Sequence, residues 1–229
     1  MPQLIRQNMT SNKLRAKRVA VFGVGGVGGY AAETLVRAGI GTIDVFDNDT
    51  VALTNLNRQL IATDATIGQS KVEVFRKRAA DIDPSVTVNA HSCFYMPETA
   101  DDYPLSVYDH VIDAIDTVKG KIELICRVRA AGVPIISCMG AGNKLNARLF
   151  KISDIYSTSV CPLAKTMRHE LRKRGIPALK VVYSEEVPIK PSVDSGEVSV
   201  RRSTPGSMAF VPAVAGLIAA GEVIRVLTE

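Results

Sequence analysis

At 229 residues the chain is long enough to bury the core of one large α/β domain. Hydrophobic residues make up 46% of it, with no low-complexity tract, which excludes a disordered or fibrous protein. The net charge of +5 suits a polyanionic partner wherever the cations cluster.

In chain order, the N-terminal stretch has no apolar core of signal-peptide length, which predicts a cytoplasmic protein. Residues 18–22 form a short β-branched run, and Gly23, Gly25, Gly26 and Gly28 follow at the spacing of a phosphate-binding turn between a parallel strand and a helix over 28–38. Residues 42–46 predict a second strand, and Asp47 stands where a carboxylate can accept ribose hydroxyls. The stretch 50–71, too polar for a strand and broken by Gly68, predicts an ordered loop at the site. Lys71 opens a helix that Asp83-Pro84 stops, and 86–90 predict a third strand.

The buried strand 110–114 ends in Asp113 and Asp116, and is followed by a helix over 119–131 and a strand over 134–138. That strand runs into the small-residue loop 139–143. In a doubly wound sheet the ligand lies outside the strand C-termini, so Gly25, Asp47, Asp116 and Gly140 are expected to border one crevice. A strand over 149–152, a basic helix over 161–175 and a strand over 180–183 come next, and 187–202 read as a flexible loop over the site. The closing segment, 206–227, is interrupted by Pro212, Glu222 and Arg225 and predicts a helix buried on the sheet, with no membrane as partner. The whole chain, 1–229, is expected to be a single domain.

Cys93, Cys126, Cys138 and Cys161 show no C-x-x-C pair, so no structural zinc or disulfide framework is implied. His91, His110 and His169 have no metal-ligand spacing. Lys165, Arg168, Arg172, Lys173, Arg174 and Lys180 cluster within 16 residues, to be weighed between an RNA contact and an ordinary solvated helix face.

A dehydrogenase needs only the glycine turn and one ribose carboxylate. This chain adds Asp49, Asn55, Arg58, Gln59, Lys71 and the Asp113/Asp116 pair at the same crevice. Two cations plus a carboxylate able to hold Mg²⁺ suit attack on the α-phosphate of ATP with loss of pyrophosphate, where charge builds on phosphate oxygens. Asp113 reads as a structural carboxylate at a strand end, and Asp49 as either a loop cap or a ligand. Lys71, at a helix N-terminus, is unfavourable there without a nearby anion, which points to phosphate binding.

The G-x-G-G-x-G, D-x-D, N-x-x-R-Q, lysine and D-A-x-D series resembles the adenylating superfamily of the ThiF, MoeB and HesA type. That superfamily includes the activating enzymes of ubiquitin-like proteins. Within it, CFYMPETADD, YDHVIDAIDTVKGKIEL, ISCMGAGNKL and LKVVYSEE are most similar to the tRNA threonylcarbamoyladenosine dehydratases, a resemblance running from about Leu14 to the C-terminus. It implies a Rossmann-like, doubly wound, mostly parallel α/β sheet with a C-terminal extension. It also implies that Gly23, Gly25, Gly26 and Gly28 line the ATP phosphates and Asp47 takes the ribose. Asn55, Arg58 and Lys71 would then polarise the triphosphate, and Asp116 would hold Mg²⁺ or the developing adenylate.

The implied reaction adenylates the carboxylate of threonylcarbamoyladenosine in tRNA and then cyclises it. The implied partners are that tRNA, a second copy of the chain in a homodimer, and sulfur-relay proteins; a monovalent cation is a further implied cofactor. An arginine ahead of the first helix, for which Arg6 is the residue at hand, would reach the neighbouring subunit's ATP. Two rivals stand beside this reading. One is an adenylyltransferase for the C-terminal glycine of a sulfur-carrier protein, passing through a Cys161 thioester; the other is an ATP-binding module without turnover.

Overall fold

The computed structural model describes residues 11–189 and 206–229. Seven strands form one sheet: β1 (Arg18–Phe22), β2 (Thr42–Phe46), β3 (Thr87–His91), β4 (His110–Asp113), β5 (Ile135–Cys138), β6 (Phe150–Asp154) and β7 (Lys180–Ser184). Their order is β3-β2-β1-β4-β5-β7-β6, with every pairing parallel except that of the edge strand β6 with β7. The order reverses between β1 and β4, which opens a crevice at the carboxyl ends of those two strands, where open α/β sheets bind ligands. The expected doubly wound, mostly parallel sheet is therefore what the chain forms.

Helices cover both faces because parallel strands are apolar on both sides. On one side lie the short α1 (Ser11–Leu14), α2 (Gly28–Ala38), α3 (Lys71–Ile82) and the long α6 (Val211–Thr228), whose apolar residues make one continuous core with Val19, Val21, Ile43, Ile112 and Ile136. On the other lie α4 (Val118–Ala130) and α5 (Pro162–Lys173), over a cluster of Met139, Ile155, Met167 and Val181. Residues 93–108 cover the rest of that face, with Phe22 stacked on Phe46 at 4.1 Å between ring centroids. Helix α6 is apolar and long enough to cross a membrane by composition alone, yet half of it is buried inside the molecule, packed along α2. It is the core helix that its interrupting Pro212 and charges predicted.

The sequence places β1, α2 and β2 at their observed bounds. The third strand is shifted one residue, to 87–91, because its register is set by β2, where Phe46 pairs with His91. The closing helix starts at Val211, five residues later than expected. Its Pro212 sits in the first turn, where a missing N–H costs no helical bond. The expected loop 50–71 is ordered by two 3-10 turns, Leu53–Asn55 and Asp64–Thr66, and by a bridge from Thr50 to Ser70. The loop expected over 187–202 falls outside the described residues from 190 onward, as does Arg6.

Candidate nucleotide site

Four strand ends, those of β1, β2, β4 and β5, and the loop after β2 build the site. Gly23, directly after β1, has φ +91°, a left-handed conformation that favours glycine, and a Cβ there would lie 2.6 Å from the Ala114 carbonyl oxygen. A Cβ on Gly28 would lie 1.8 Å from the Gly23 oxygen. The turn thus closes only with hydrogen at both positions, and it leads straight into the N-terminus of α2. That terminus carries no side-chain cap, leaving its amides available to an anion.

Asp47, one residue past β2, is nine-tenths buried. Its Oδ2 accepts from the Val24 amide in the glycine turn at 2.8 Å, and its Oδ1 accepts from the Asp49 amide at 2.9 Å. Burial raises its pKa, while Lys71 and the two amides oppose that shift. Asp47 therefore fixes the glycine turn as well as facing the crevice, a role that spacing alone did not suggest.

Lys71, the first residue of α3, is 5% exposed. Its Nζ sits 2.6 Å from Asp49 Oδ2 and 3.9 Å from Asp47 Oδ1. The nearby anion expected for Lys71 is supplied within the chain by Asp49, so its place at the helix N-terminus does not by itself require a bound phosphate. Asp49 is accordingly an ion-pair partner rather than a bare loop cap.

The 3-10 turn over Leu53–Asn55 presents the next group. Asn55 is buried and accepts from the Ala52 amide through Oδ1 at 3.0 Å. Arg58 is half-buried, donating from Nη1 to the Thr54 carbonyl and to Asn57 Oδ1, each at 2.9 Å, and its Cγ would be 3.3 Å from a Cβ on Gly26. No carboxylate pairs with it among the described residues. Gln59 is 7% exposed, and its Oε1 is buried without a partner.

Across the crevice, Asp116 is exposed at the end of the loop leaving β4. Asp113 is wholly buried: Oδ2 accepts from Lys121 Nζ at 3.0 Å and from Ser137 Oγ at 2.5 Å, and Oδ1 accepts from the Ile115 amide at 3.1 Å. The structural reading of Asp113 fits this geometry.

All these groups, from Gly23 to Asp116 and on to Gly140, border one cavity of about 620 Å³, apart from Gly28 behind the turn and the buried Asp113. That volume lies in the range of small-molecule sites. Sequence reasoning missed Phe94 and Thr117 on its wall. Phe94 is an exposed aromatic, and Thr117 Oγ1 is a second buried oxygen without a partner. Neither stands at a motif spacing, so only the fold reveals them. Cys161 does not border the cavity; it is 2% exposed beneath α5 with Ile155 and Met167. No group of three or more His, Cys, Asp or Glu side chains gathers as a metal site among the described residues.

A glycine turn at a helix N-terminus, a buried carboxylate on its amide, an uncommitted arginine and a lone carboxylate opposite define a Rossmann-like nucleotide-binding protein equipped to hold a phosphate chain and neutralise charge along it. The comparisons with known proteins agree. The ThiF family profile matches residues 2–229, and the chain belongs to that family. It is 44% identical over 225 residues to the tRNA threonylcarbamoyladenosine dehydratase of Bacillus subtilis, covering 94% of this chain and 89% of the relative. Among solved structures, it resembles the Escherichia coli tRNA N6-threonylcarbamoyladenosine dehydratase in complex with ATP, with a TM-score of 0.86 and 30% identity over 96% of this chain and 89% of that one.

Proposed function

We propose that this protein uses ATP to adenylate the side-chain carboxylate of N6-threonylcarbamoyladenosine in tRNA and then closes the ring with loss of AMP, so that the base leaves one water lighter. The observation that carries the reading is the convergence of the glycine turn, Asp47, Arg58, Lys71 and Asp116 on one cavity, in a chain of this family. The likeness to the Bacillus and Escherichia enzymes supports the substrate.

The amides of Gly25 and Gly26 and the α2 N-terminus bind the phosphates. Asp47 accepts from the ribose with the lone pairs that Val24 and Asp49 leave free. Arg58 turns from its Thr54 and Asn57 contacts onto the phosphate oxygens, with Asn55 and Gln59 beside it. Lys71 exchanges part of its Asp49 contact for the triphosphate. The substrate carboxylate attacks the α-phosphorus and pyrophosphate leaves with the bridging oxygen, so charge grows on oxygens within reach of these donors once they have turned. A nucleophilic atom of the neighbouring carbamoyl group then attacks the acyl carbon and AMP departs. Intramolecular attack has a high effective molarity, so no covalent enzyme step is needed.

Mg²⁺ fits the donor set: it is commonly held by one or two carboxylates together with substrate phosphates, and Asp116 offers one such carboxylate facing the cavity. When bound it would neutralise phosphate charge. A single adenylating domain over 1–229, a homodimer, a monovalent cation, sulfur-relay partners and a cytoplasmic location complete the reading, on the strength of the family likeness.

The test is ATP–pyrophosphate exchange with tRNA carrying threonylcarbamoyladenosine, followed by mass analysis of the nucleosides. Exchange that depends on that tRNA, with loss of 18 mass units from the base, is expected, about one water; exchange only with a diglycine-tailed protein overturns it. The buried position of Cys161 gives a companion prediction. Cys161→Ala is expected to leave cyclisation unchanged, and complete loss of activity in a folded variant would restore the thioester route.

A further inference from the structure

Helix α5 carries a cationic face that the nucleotide site does not use. At 100° per residue, Lys165, His169 and Arg172 fall in one stripe flanked by Arg168, while Ala164, Met167 and Leu171 are buried. Glu170, the helix's one carboxylate, lies on a different face and is engaged by Arg174 at 2.8 Å and Lys173 at 2.9 Å, which hold its pKa down at about 2, with His169 Nε2 at 4.0 Å. Arg168 donates to the Thr158 carbonyl at 3.0 Å, and Arg172 lies over the Tyr156 ring at 5.0 Å. No carboxylate pairs with Lys165, Arg168 or Arg172 among the described residues. Like charges at i, i+3 and i, i+4 destabilise a helix, so this arrangement is not explained by the stability of α5 itself.

Its position offers a reason. The first turn of α5 reaches the mouth of the nucleotide cavity: Leu163 lines that cavity, and its Cβ would lie 3.9 Å from a Cβ on Gly140. From that first turn the helix runs away from the cavity, and the stripe follows it for roughly 10 Å, at 1.5 Å per residue, on the side of the helix turned away from Leu163. Successive cations stand one helical turn apart, in an order that a phosphate backbone leaving the cavity can follow. We propose that this face of α5 is the track that holds the phosphate backbone of the substrate tRNA next to the modified base in the cavity. The proposal rests on the reading of tRNA as the substrate. Arg168 and Arg172 are already oriented by Thr158 and Tyr156, so the contact needs little further ordering, and Lys165 is the cation of the stripe nearest the first turn of α5.

The experiment compares the full chain with the double variant Lys165→Gln/Arg172→Gln, and with a control, Lys77→Gln/Arg129→Gln. The control removes the same charge from exposed sites on α3 and α4. Binding of tRNA carrying threonylcarbamoyladenosine is measured from low to high salt, and cyclisation is measured on that tRNA and on the free modified nucleoside. For the α5 variant, tRNA affinity is expected to fall about tenfold, and the salt slope to become shallower by about 1.4, near 0.7 for each lost single-strand phosphate contact. ATP binding and turnover of the free nucleoside should remain those of the parent. A slope equal to the parent's, or the same loss in the control, overturns the track. If the parent itself cyclises neither substrate, the functional reading fails instead, while the salt slopes still report whether α5 binds RNA.

Discussion

Arg58→Ala is expected to lower the rate of pyrophosphate release by about 10²–10³-fold while leaving the fold intact, the loss typical of removing one donor aimed at transition-state charge. The structure makes this substitution cleaner than its neighbours. Arg58 is half-buried in the turn that follows the 3-10 turn Leu53–Asn55, and among the described residues its guanidinium reaches only the Thr54 carbonyl and Asn57 Oδ1. Deleting it orphans no buried charge. Lys71→Ala would remove a buried cation from beside two carboxylates, so its effects on stability and catalysis would be entangled. If Arg58 acts mainly as the developing charge appears on the α-phosphate, kcat should fall with the KM for ATP little changed. A raised KM at unchanged kcat would make Arg58 a ground-state phosphate ligand. Normal turnover would remove it from the phosphate site altogether.

The ease of reading this site from sequence followed the range of the interactions that build it. The glycine turn, α2 and β2 stand where they were expected because their chemistry is local: a steric demand for hydrogen at Gly23 and Gly28, and a carboxylate at fixed spacing. The convergence of Gly25, Asp47, Asp116 and Gly140 on one cavity follows from the rule that ligands sit at strand C-termini, and the cavity bears it out. What stayed hidden depends on register and packing. The one-residue shift of β3 is set by its pairing with β2. The wholly buried Asp44, held by Arg18, Asn89, His91 and Tyr108, gathers side chains from three other segments whose spacing carries no motif. Lys71 at the N-terminus of α3 meets its anion in Asp49, a residue 22 positions earlier that only the folded loop brings to it.

Lys121 leads to the second large effect. It lies on the inward face of α4 with no exposure at all, and its Nζ reaches Asp113 at 3.0 Å and Ser137 Oγ at 3.4 Å. A fully desolvated ion pair is weak evidence for stability, because hydrophobic residues of similar volume often do as well. Its geometry suggests positioning instead. Asp113 also holds the Ile115 amide, and so fixes the turn that presses the Ala114 carbonyl against Gly23 and sets Asp116 at the cavity. One buried pair thereby ties the ends of β4 and β5 to the glycine turn after β1. Lys121→Met is expected to cost about 3–5 kcal/mol by leaving Asp113 as an uncompensated buried charge. That corresponds to a fall in Tm of roughly 10 °C for a chain of this size. The double variant Lys121→Met/Asp113→Leu removes both charges and is expected to recover most of that stability. It also removes the acceptor of the Ile115 amide, so kcat for cyclisation should stay low even where Tm returns, with ATP binding nearly unchanged. Stability and kcat recovering together would make the pair a structural element only. Recovery of Tm alone separates the position of the Ala114–Asp116 turn from the stability of the sheet and assigns the placement of Asp116 to Asp113, with Lys121 as the counter-ion that keeps its carboxylate in the core.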